Sequence, residues 1–381
     1  MKIFRIFLLI QISIVMLSCS GTSEEQLIGD WDRRTTFDRG GICHAATFVI
    51  DNIGYVVSGF NGNNPPRPFF YAFDHTLGGG QPSMGEWIRL DPLRNEIVRQ
   101  QAVGFSLKAG DGKDYGFVGT GWVFRNNEYE TTLDFWRYDR TKEGTDEAWE
   151  PVAPLPEELG ALPRRGAFAF ALEVDGKMRG YVGGGYTDRP DNEYLRDLWV
   201  YDPDADSWSR EPASIDKRAG AVAFVLNNKA YICNGENPSL INDFWVFDPS
   251  QPEGSRWEQK RTMNKVHPDD TYDEEYRTLG RSFGVAFVVQ TGGILRGHLV
   301  GGRQSSASSC WEYDEDVDLW TQRTAFFNHM NRQNREGMIA FSFPLTGRAF
   351  VGMGRAGVSA YLDDMWEFTP LEDDNIYRDM R

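Results

Sequence analysis

Four cysteines and five histidines in 381 residues leave little material for a disulfide scaffold or a metal cluster. Cys43, Cys233 and Cys310 stand far apart with no C-x-x-C spacing. That excludes a zinc ribbon or a dithiol pair and predicts buried free thiols. Basic charge is also short. Forty Lys and Arg against 56 Asp and Glu give a net charge of −16, which argues against a nucleic-acid backbone as the main partner. Runs with apolar residues at helical spacing are hard to find. The only long apolar stretch, residues 6–17, is interrupted by Gln11 and Ser13 and is too short for a good membrane span.

That stretch follows Lys2 and Arg5 and ends in Met16-Leu17-Ser18-Cys19, the layout of an export signal over residues 1–18. It resembles a bacterial lipoprotein signal, which implies a lipidated Cys19, a polar tether over 19–28 and a membrane-anchored exported protein. The acidic residues soon after the cysteine resemble the surface-export signals of Bacteroidetes lipoproteins. The Met in the cleavage box departs from the usual Leu, so ordinary signal cleavage is the alternative.

The chain is rich in glycine (40 residues) and aromatics (14%), which suits many short strands joined by tight turns. Six times an arginine opens a short apolar run: Arg39, Arg99, Arg165, Arg218, Arg281 and Arg335, about 55–65 residues apart, a period that marks propellers, solenoids or arrays. Each run leads to a glycine-ended segment, such as Tyr181-Val182-Gly183-Gly184-Gly185. An aromatic segment such as Asp197-Leu198-Trp199-Val200-Tyr201-Asp202 follows, and then a spaced tryptophan such as Trp208. Four strands per unit make a blade. The sixth unit lacks its last tryptophan, whereas Gly29-Asp30-Trp31 stands unclaimed before the first unit. The expected fold is therefore all-β: a six-bladed propeller of four-stranded antiparallel blades over 29–369, closed by the N-terminal strand completing the last blade, with a polar tail over 370–381.

The arginine-led strand, paired glycines, Tyr-Asp and spaced tryptophan resemble Kelch repeats across residues 29–369. Six-bladed exported proteins of that kind include bacterial N-acetylneuraminate epimerases, and galactose oxidase shares the repeat on seven blades. The copper chemistry of the latter needs His, Tyr and Tyr–Cys ligands that the repeat register does not supply, and no cofactor is expected. Asp202-Pro203-Asp204-Ala205-Asp206 resembles a calcium loop but has Ser207 and Ala213 where glycine and glutamate belong. It reads as turn chemistry, as does Asp314-Glu315-Asp316.

In an up-and-down blade the first strand starts on the rim where the second ends. The residues after the glycine pairs, Phe60, Trp122, Tyr186, Glu236, Arg303 and Arg355, should therefore converge near the axis. The first three are aromatic and the last three charged, a combination that suits a sugar or an acidic ligand. The opening arginines are candidates for the same rim, with bracing of the repeat itself as the bland alternative. The polar loops Asn61–Arg67, Arg125–Tyr129 and Asp188–Glu193 belong to this rim. The functional expectation is a monomeric propeller that binds a glycan or a partner protein there and meets the membrane only through its lipid. A structural subunit of an envelope complex is a further reading. Resemblance to the epimerases implies, as the enzymatic alternative, an epimerase or mutarotase of acidic sugars. Glu236 or Glu336 would then be the proton-transfer group and Arg303 or Arg355 would hold a substrate carboxylate.

Overall fold

The computed structural model describes residues 27–63, 66–90, 93–264, 276, 278–303, 309–326 and 334–373. The export signal, Cys19 and most of the proposed tether and tail lie outside these. The described chain is all-β, and no helix of it is long and apolar enough to cross a membrane.

Its backbone is organised as six four-stranded antiparallel sheets. The first holds Ala46–Ile50, Ile53–Val57, Phe70–Asp74 and Glu86–Arg89 in spatial order. The second to fifth repeat this plan, with inner strands Val103–Lys108, Phe168–Val174, Val222–Leu226 and Val285–Thr291. The sixth takes Ile339–Phe343, Arg348–Gly352 and Asp364–Asp373 from the end of the chain. Its outer strand is Ile28–Thr36, from the beginning. The last strand runs past the expected boundary at 369 and pairs Asp373 with Ile28.

Register is the same throughout. The outer-strand tryptophan always faces the aromatic residue of the third strand: Trp87 opposite Phe73, Trp149 opposite Tyr138, Trp208 opposite Tyr201, Trp257 opposite Phe247, Trp320 opposite Tyr313 and Trp31 opposite Phe368. Trp208 and Trp257 each donate Nε1–H to a carbonyl in the loop leaving the preceding sheet, Ala153 and Pro212. Trp31 does the same, to Thr324 at 2.9 Å. The N-terminal strand thus occupies the place that a local fourth strand fills elsewhere.

Each junction between neighbouring sheets holds its own apolar cluster, including that between the sixth sheet and the first, where Phe37, Ile42, Phe69 and Phe73 meet Phe341, Phe343 and Phe350. Sheets approach closely because the phenylalanine of one inner strand seats over a glycine of the next sheet. A Cβ on Gly116 would lie 2.2 Å from the ring of Phe48.

Two backbone bonds per junction lie near the axis. At the start of each inner strand one residue has left-handed φ: His44, Gln101, Gly166, Gly220, Phe283 and Gly337, at 52–64°. The N–H of each donates to the carbonyl of its predecessor at 2.8–3.0 Å, and that of His44 donates to Gly337. These six bonds form a closed circle. Outside them, the second glycine of each pair (Gly59, Gly121, Gly185, Gly235, Gly302, Gly354) donates to the next sheet, with Gly354 reaching Ile42 at 2.8 Å. The φ of Gly235 is +98°, and a Cβ there would sit 2.8 Å from the Ala219 carbonyl, so this position admits glycine alone.

Charge braces the terminal pairing. Glu367 of the last strand accepts from Arg34 of the N-terminal strand at 2.7 Å and from Arg348, which also donates to the His75 and Ser83 carbonyls of the first sheet. Trp31 is 2% exposed and packs on Phe287, Phe326 and Phe368. Trp31→Ala should therefore cost about 3–5 kcal/mol. Chemical denaturation would report it as a lower midpoint; an unchanged midpoint would mean that the terminal pairing contributes little.

Candidate functional site: the mouth of the axial cavity

The repeated arginine performs one local task. Arg99, Arg164, Arg218 and Arg335 are buried and each forms a two-pronged pair with an aspartate at or just before the start of the third strand, Asp134, Asp197, Asp243 and Asp364. Each aspartate also accepts from the indole two residues on: Trp136, Trp199, Trp245 and Trp366. Burial pushes the Asp134 and Asp197 carboxyls up, but the charge and hydrogen bonds of Arg99 and Arg164 outweigh it and hold both below the usual range. Arginine Nε–H and Nη–H groups satisfy carbonyls of the turn as well, for Arg218 those of Asp216 and Asn234. The guanidinium staples the first strand to the second and third.

For Arg99, Arg218, Arg281 and Arg335 this is the bracing of the repeat that the sequence also allowed, and it corrects their candidacy as ligand-facing residues. All four are 5% exposed or less. In the third sheet the stapling residue is Arg164, one position before Arg165. In the first it is Ile42, whose partner position holds Phe69, so charge and countercharge are replaced together by an apolar pair. Arg39 lies outside the pattern, exposed, beside Asp38 at 3.6 Å. In the fifth sheet Ser309 replaces the aspartate and Arg281 is held by its hydroxyl and by four carbonyls. Burial without a carboxylate lowers its pKa to about 10.

The residues after the glycine pairs do occupy equivalent places. Phe60, Trp122, Tyr186, Glu236, Arg303 and Arg355 pair with Cys43, Gln100, Arg165, Ala219, Ser282 and Glu336, each one residue before the left-handed circle. Beneath them is a cavity of about 130 Å³ lined by the circle itself and by Ala45, Ala102, Ala167, Ala221, Gly284 and Met338. It adjoins a second of about 200 Å³ bounded by small residues of all six inner strands. Short hairpins carry the mouth outward: Trp122–Arg125 with Glu128–Thr131, Tyr186–Thr187 with Glu193–Tyr194, Glu236–Asn237 with Ser239–Leu240, and Arg355–Ala356 with Ala360–Tyr361. Two of these are built from the expected polar loops.

The two halves of the mouth differ as the residue types imply. On the charged half, Glu336 accepts from Arg303 Nε at 2.6 Å and from Arg355 Nη2. Glu236 accepts from Arg303 Nη1 at 3.3 Å and from the Ser282 hydroxyl at 2.7 Å. Burial raises the Glu336 carboxyl, yet its two arginine hydrogen bonds outweigh it and keep the group ionised well below the usual range. This half is largely compensated within itself.

On the aromatic half Arg165 stands apart. Its guanidinium lies 4.6 Å from the Trp122 ring centroid and 4.9 Å from that of Tyr186, and it donates to Gln101 Oε1 at 2.7 Å. Its Nε–H is buried with no acceptor, and no carboxylate among the described residues lies within ion-pair distance. Burial depresses its pKa, the charge of Asp188 opposes the effect, and Arg303 adds to it. Tyr194 against Tyr186, and Tyr129 against Trp122, extend the aromatic wall. Arg303 crosses to the same space over Phe283 at 4.9 Å.

His44, His75 and His298 carry no metal geometry. Among the described residues no group of three or more His, Cys, Asp or Glu could hold an ion. His298 bonds Glu312 at 3.0 Å and His75 bonds Thr346 at 2.8 Å. The three cysteines are buried and unpaired, as expected. Asp202 and Asp314 accept from the backbone N–H two residues on, which makes both segments turns as read.

The Kelch motif model matches residues 180–213. The solved structure of YjhT superposes over 86% of this chain and 95% of its own, with TM-score 0.60 and 14% identity. The fold is a Kelch-repeat β-propeller. N-acetylneuraminate epimerase of Escherichia coli O9:H4 (strain HS) is 27% identical over 145 residues, 36% of either chain. That of Shigella flexneri serotype 5b (strain 8401) is 28% identical over 112 residues, 28% of either chain. The propeller thus aligns with about a third of the length of the curated relatives it matches.

Sequence reading missed His44, Gln101 and Phe283, which lie two residues after the stapling position and at the floor of the mouth. The signal was the left-handed backbone, filled by glycine in the other three sheets. His44 is 8% exposed. Burial, opposed by Glu336 and aided by Arg355, Arg303 and Arg165, lowers its pKa from 6.5 to about 4. The neutral form is the one favoured by folding, so His44 supports stability above pH 6.5 and withdraws it as pH falls toward 4. His44→Asn, which keeps a residue tolerant of left-handed φ, should flatten the fall of the melting temperature between pH 6.5 and 4 relative to the parent. Parallel curves would show that His44 is not the titrating group.

Proposed function

We propose that the six sheets are the blades of one closed propeller, clasped by its N-terminal strand, and that its mouth binds an acidic sugar. The observation carrying this is Arg165: a cation flanked by two aromatic rings, without a carboxylate partner among the described residues, beside an opposite wall whose charges are mutually satisfied. A sugar carboxylate completes the Arg165 fork, its C–H face lies on Trp122, Tyr186 or Phe60, and its hydroxyls meet Glu236 and Arg303. The names of the relatives, which act on N-acetylneuraminate, agree with that chemistry without carrying their activity over.

Titration of the intrinsic tryptophan fluorescence with sialylated oligosaccharides tests the reading. Binding should weaken about tenfold or more in Arg165→Ala, the loss of one charge-assisted pair, and should also weaken in Trp122→Ala. Equal affinity of Arg165→Ala and the parent, or no binding of any acidic glycan, would move the function to a protein partner.

A second reading, anomer interconversion of an acidic sugar, is favoured by one feature: the neutral imidazole of His44 stands within electrostatic reach of the ionised Glu336. His44 rather than Glu336 then takes the proton-transfer role, because Glu336 is committed to two arginines. NMR of N-acetylneuraminate should show anomer equilibration faster with protein than with buffer, and the acceleration should vanish in His44→Asn.

For its location we propose export and a lipid anchor on Cys19. Cys19→Ala should transfer the protein from the membrane fraction to the soluble one.

A further inference from the structure

Arg39, set aside by the repeat, has its own surroundings. The loop leaving the N-terminal strand carries it over the first sheet, where Arg39, Arg67 and Arg89 line one pocket of about 210 Å³. Its floor is apolar, made of Pro68, Phe69, Phe70, Tyr71 and Leu90. Phe69 is the residue that replaces the stapling aspartate in this sheet, so the carboxylate that neutralises an arginine in four other sheets is missing from this wall.

Three arginines therefore line one largely apolar pocket in a chain of net charge −16. Acidic residues are abundant, yet among the described residues Arg39 meets only Asp38, at 3.6 Å with both side chains more than half exposed, and no ion pair joins Arg67 or Arg89 to a carboxylate. Like charges sharing one pocket repel, and the arrangement becomes favourable once an anion with several acceptor oxygens sits between them.

We propose that this pocket is a second binding site, separate from the mouth, for a tetrahedral oxyanion ester on a small ring: a sulfate or phosphate ester of a monosaccharide. Three arginines can share the three free oxygens of such an ester, whereas a carboxylate offers only two. The apolar floor accepts one face of the ring. The volume lies below that of pockets that enclose drug-sized ligands, so it holds the ester and part of one ring, with the remainder of the ligand in solvent.

Isothermal titration calorimetry of the full-length protein with glucose 6-sulfate, glucose 6-phosphate and glucuronate tests this. Both esters should bind, glucuronate should bind at least tenfold more weakly, and Arg67→Ala and Arg89→Ala should each weaken the esters about tenfold. A preference for one ester would identify sulfate or phosphate as the natural group. Arg165→Ala, which addresses the mouth, should leave ester binding unchanged, and Arg89→Ala, on the outer strand of the first sheet, should leave binding of sialylated oligosaccharides unchanged. The proposal is overturned if neither ester binds, if glucuronate binds as well as they do, or if ester binding is lost in Arg165→Ala but kept in Arg67→Ala. Circular dichroism of each variant separates lost binding from lost folding.

Discussion

The circle of six hydrogen bonds from His44 through Gly337 is the constraint on which the rest depends. Each bond needs a residue in left-handed conformation, and each such residue turns the chain so that the next inner strand starts beside the last. An inner strand has a sheet neighbour on one side only. On the other side, toward the axis, its first polar groups would be unpaired at the most crowded place in the molecule. Linking them head to tail satisfies donors and acceptors with no side chain. It also fixes the six strand starts at one level, so the residues one position earlier, Cys43, Gln100, Arg165, Ala219, Ser282 and Glu336, are presented together around an opening.

The arginine staples serve that geometry from one layer out. A buried ion pair gains little net free energy over an apolar pair of similar volume, because both charges lose water. The first sheet demonstrates the exchange, with Ile42 and Phe69 in place of arginine and aspartate at the same positions. What the staple adds elsewhere is direction: its Nε–H and Nη–H groups reach the turn carbonyls before the inner strand and at the glycine pair, holding both sides of the rim. The fifth sheet keeps the arginine and loses the aspartate, and the hydrogen bonds to carbonyls remain. The turn is therefore the more constant partner.

Most of this architecture was legible in the sequence because it rests on residues with few substitutes. Gly235 has no alternative at φ +98° with a carbonyl 2.8 Å from any Cβ. The tryptophans recur because each covers the same junction, and Trp31 could be assigned to the sixth sheet only because five others set the spacing. The rim residues were legible for the same reason, counted from the glycines. The arginines were not, since two adjacent arginines, Arg164 and Arg165, look interchangeable in a string of letters although one is enclosed and the other faces the opening. Arg39 misled because its sheet had replaced both members of the staple, leaving a nearby arginine to complete the apparent period. His44 escaped notice because a left-handed histidine has no signature beyond its alignment with glycines.

The mouth departs from symmetry where the scaffold does not. Glycine at Gly166, Gly220 and Gly337 leaves space over the circle, whereas His44, Gln101 and Phe283 fill it, so the floor itself is uneven. On the charged side, Glu336 and Glu236 keep Arg303 and Arg355 in place without a ligand, and any anion binding there must displace an existing pair. Arg165 has no carboxylate within ion-pair distance among the described residues: Gln101 orients it, two rings flank it, and Asp188 acts on it only from farther away. A ligand carboxylate at Arg165 therefore breaks no ion pair among the described residues, while the same carboxylate at Arg303 gives up a bond of 2.6 Å to Glu336. If the mouth takes an acidic sugar as proposed, this difference in what must be broken favours Arg165 as the anchoring point and leaves the other two guanidiniums to meet the hydroxyls.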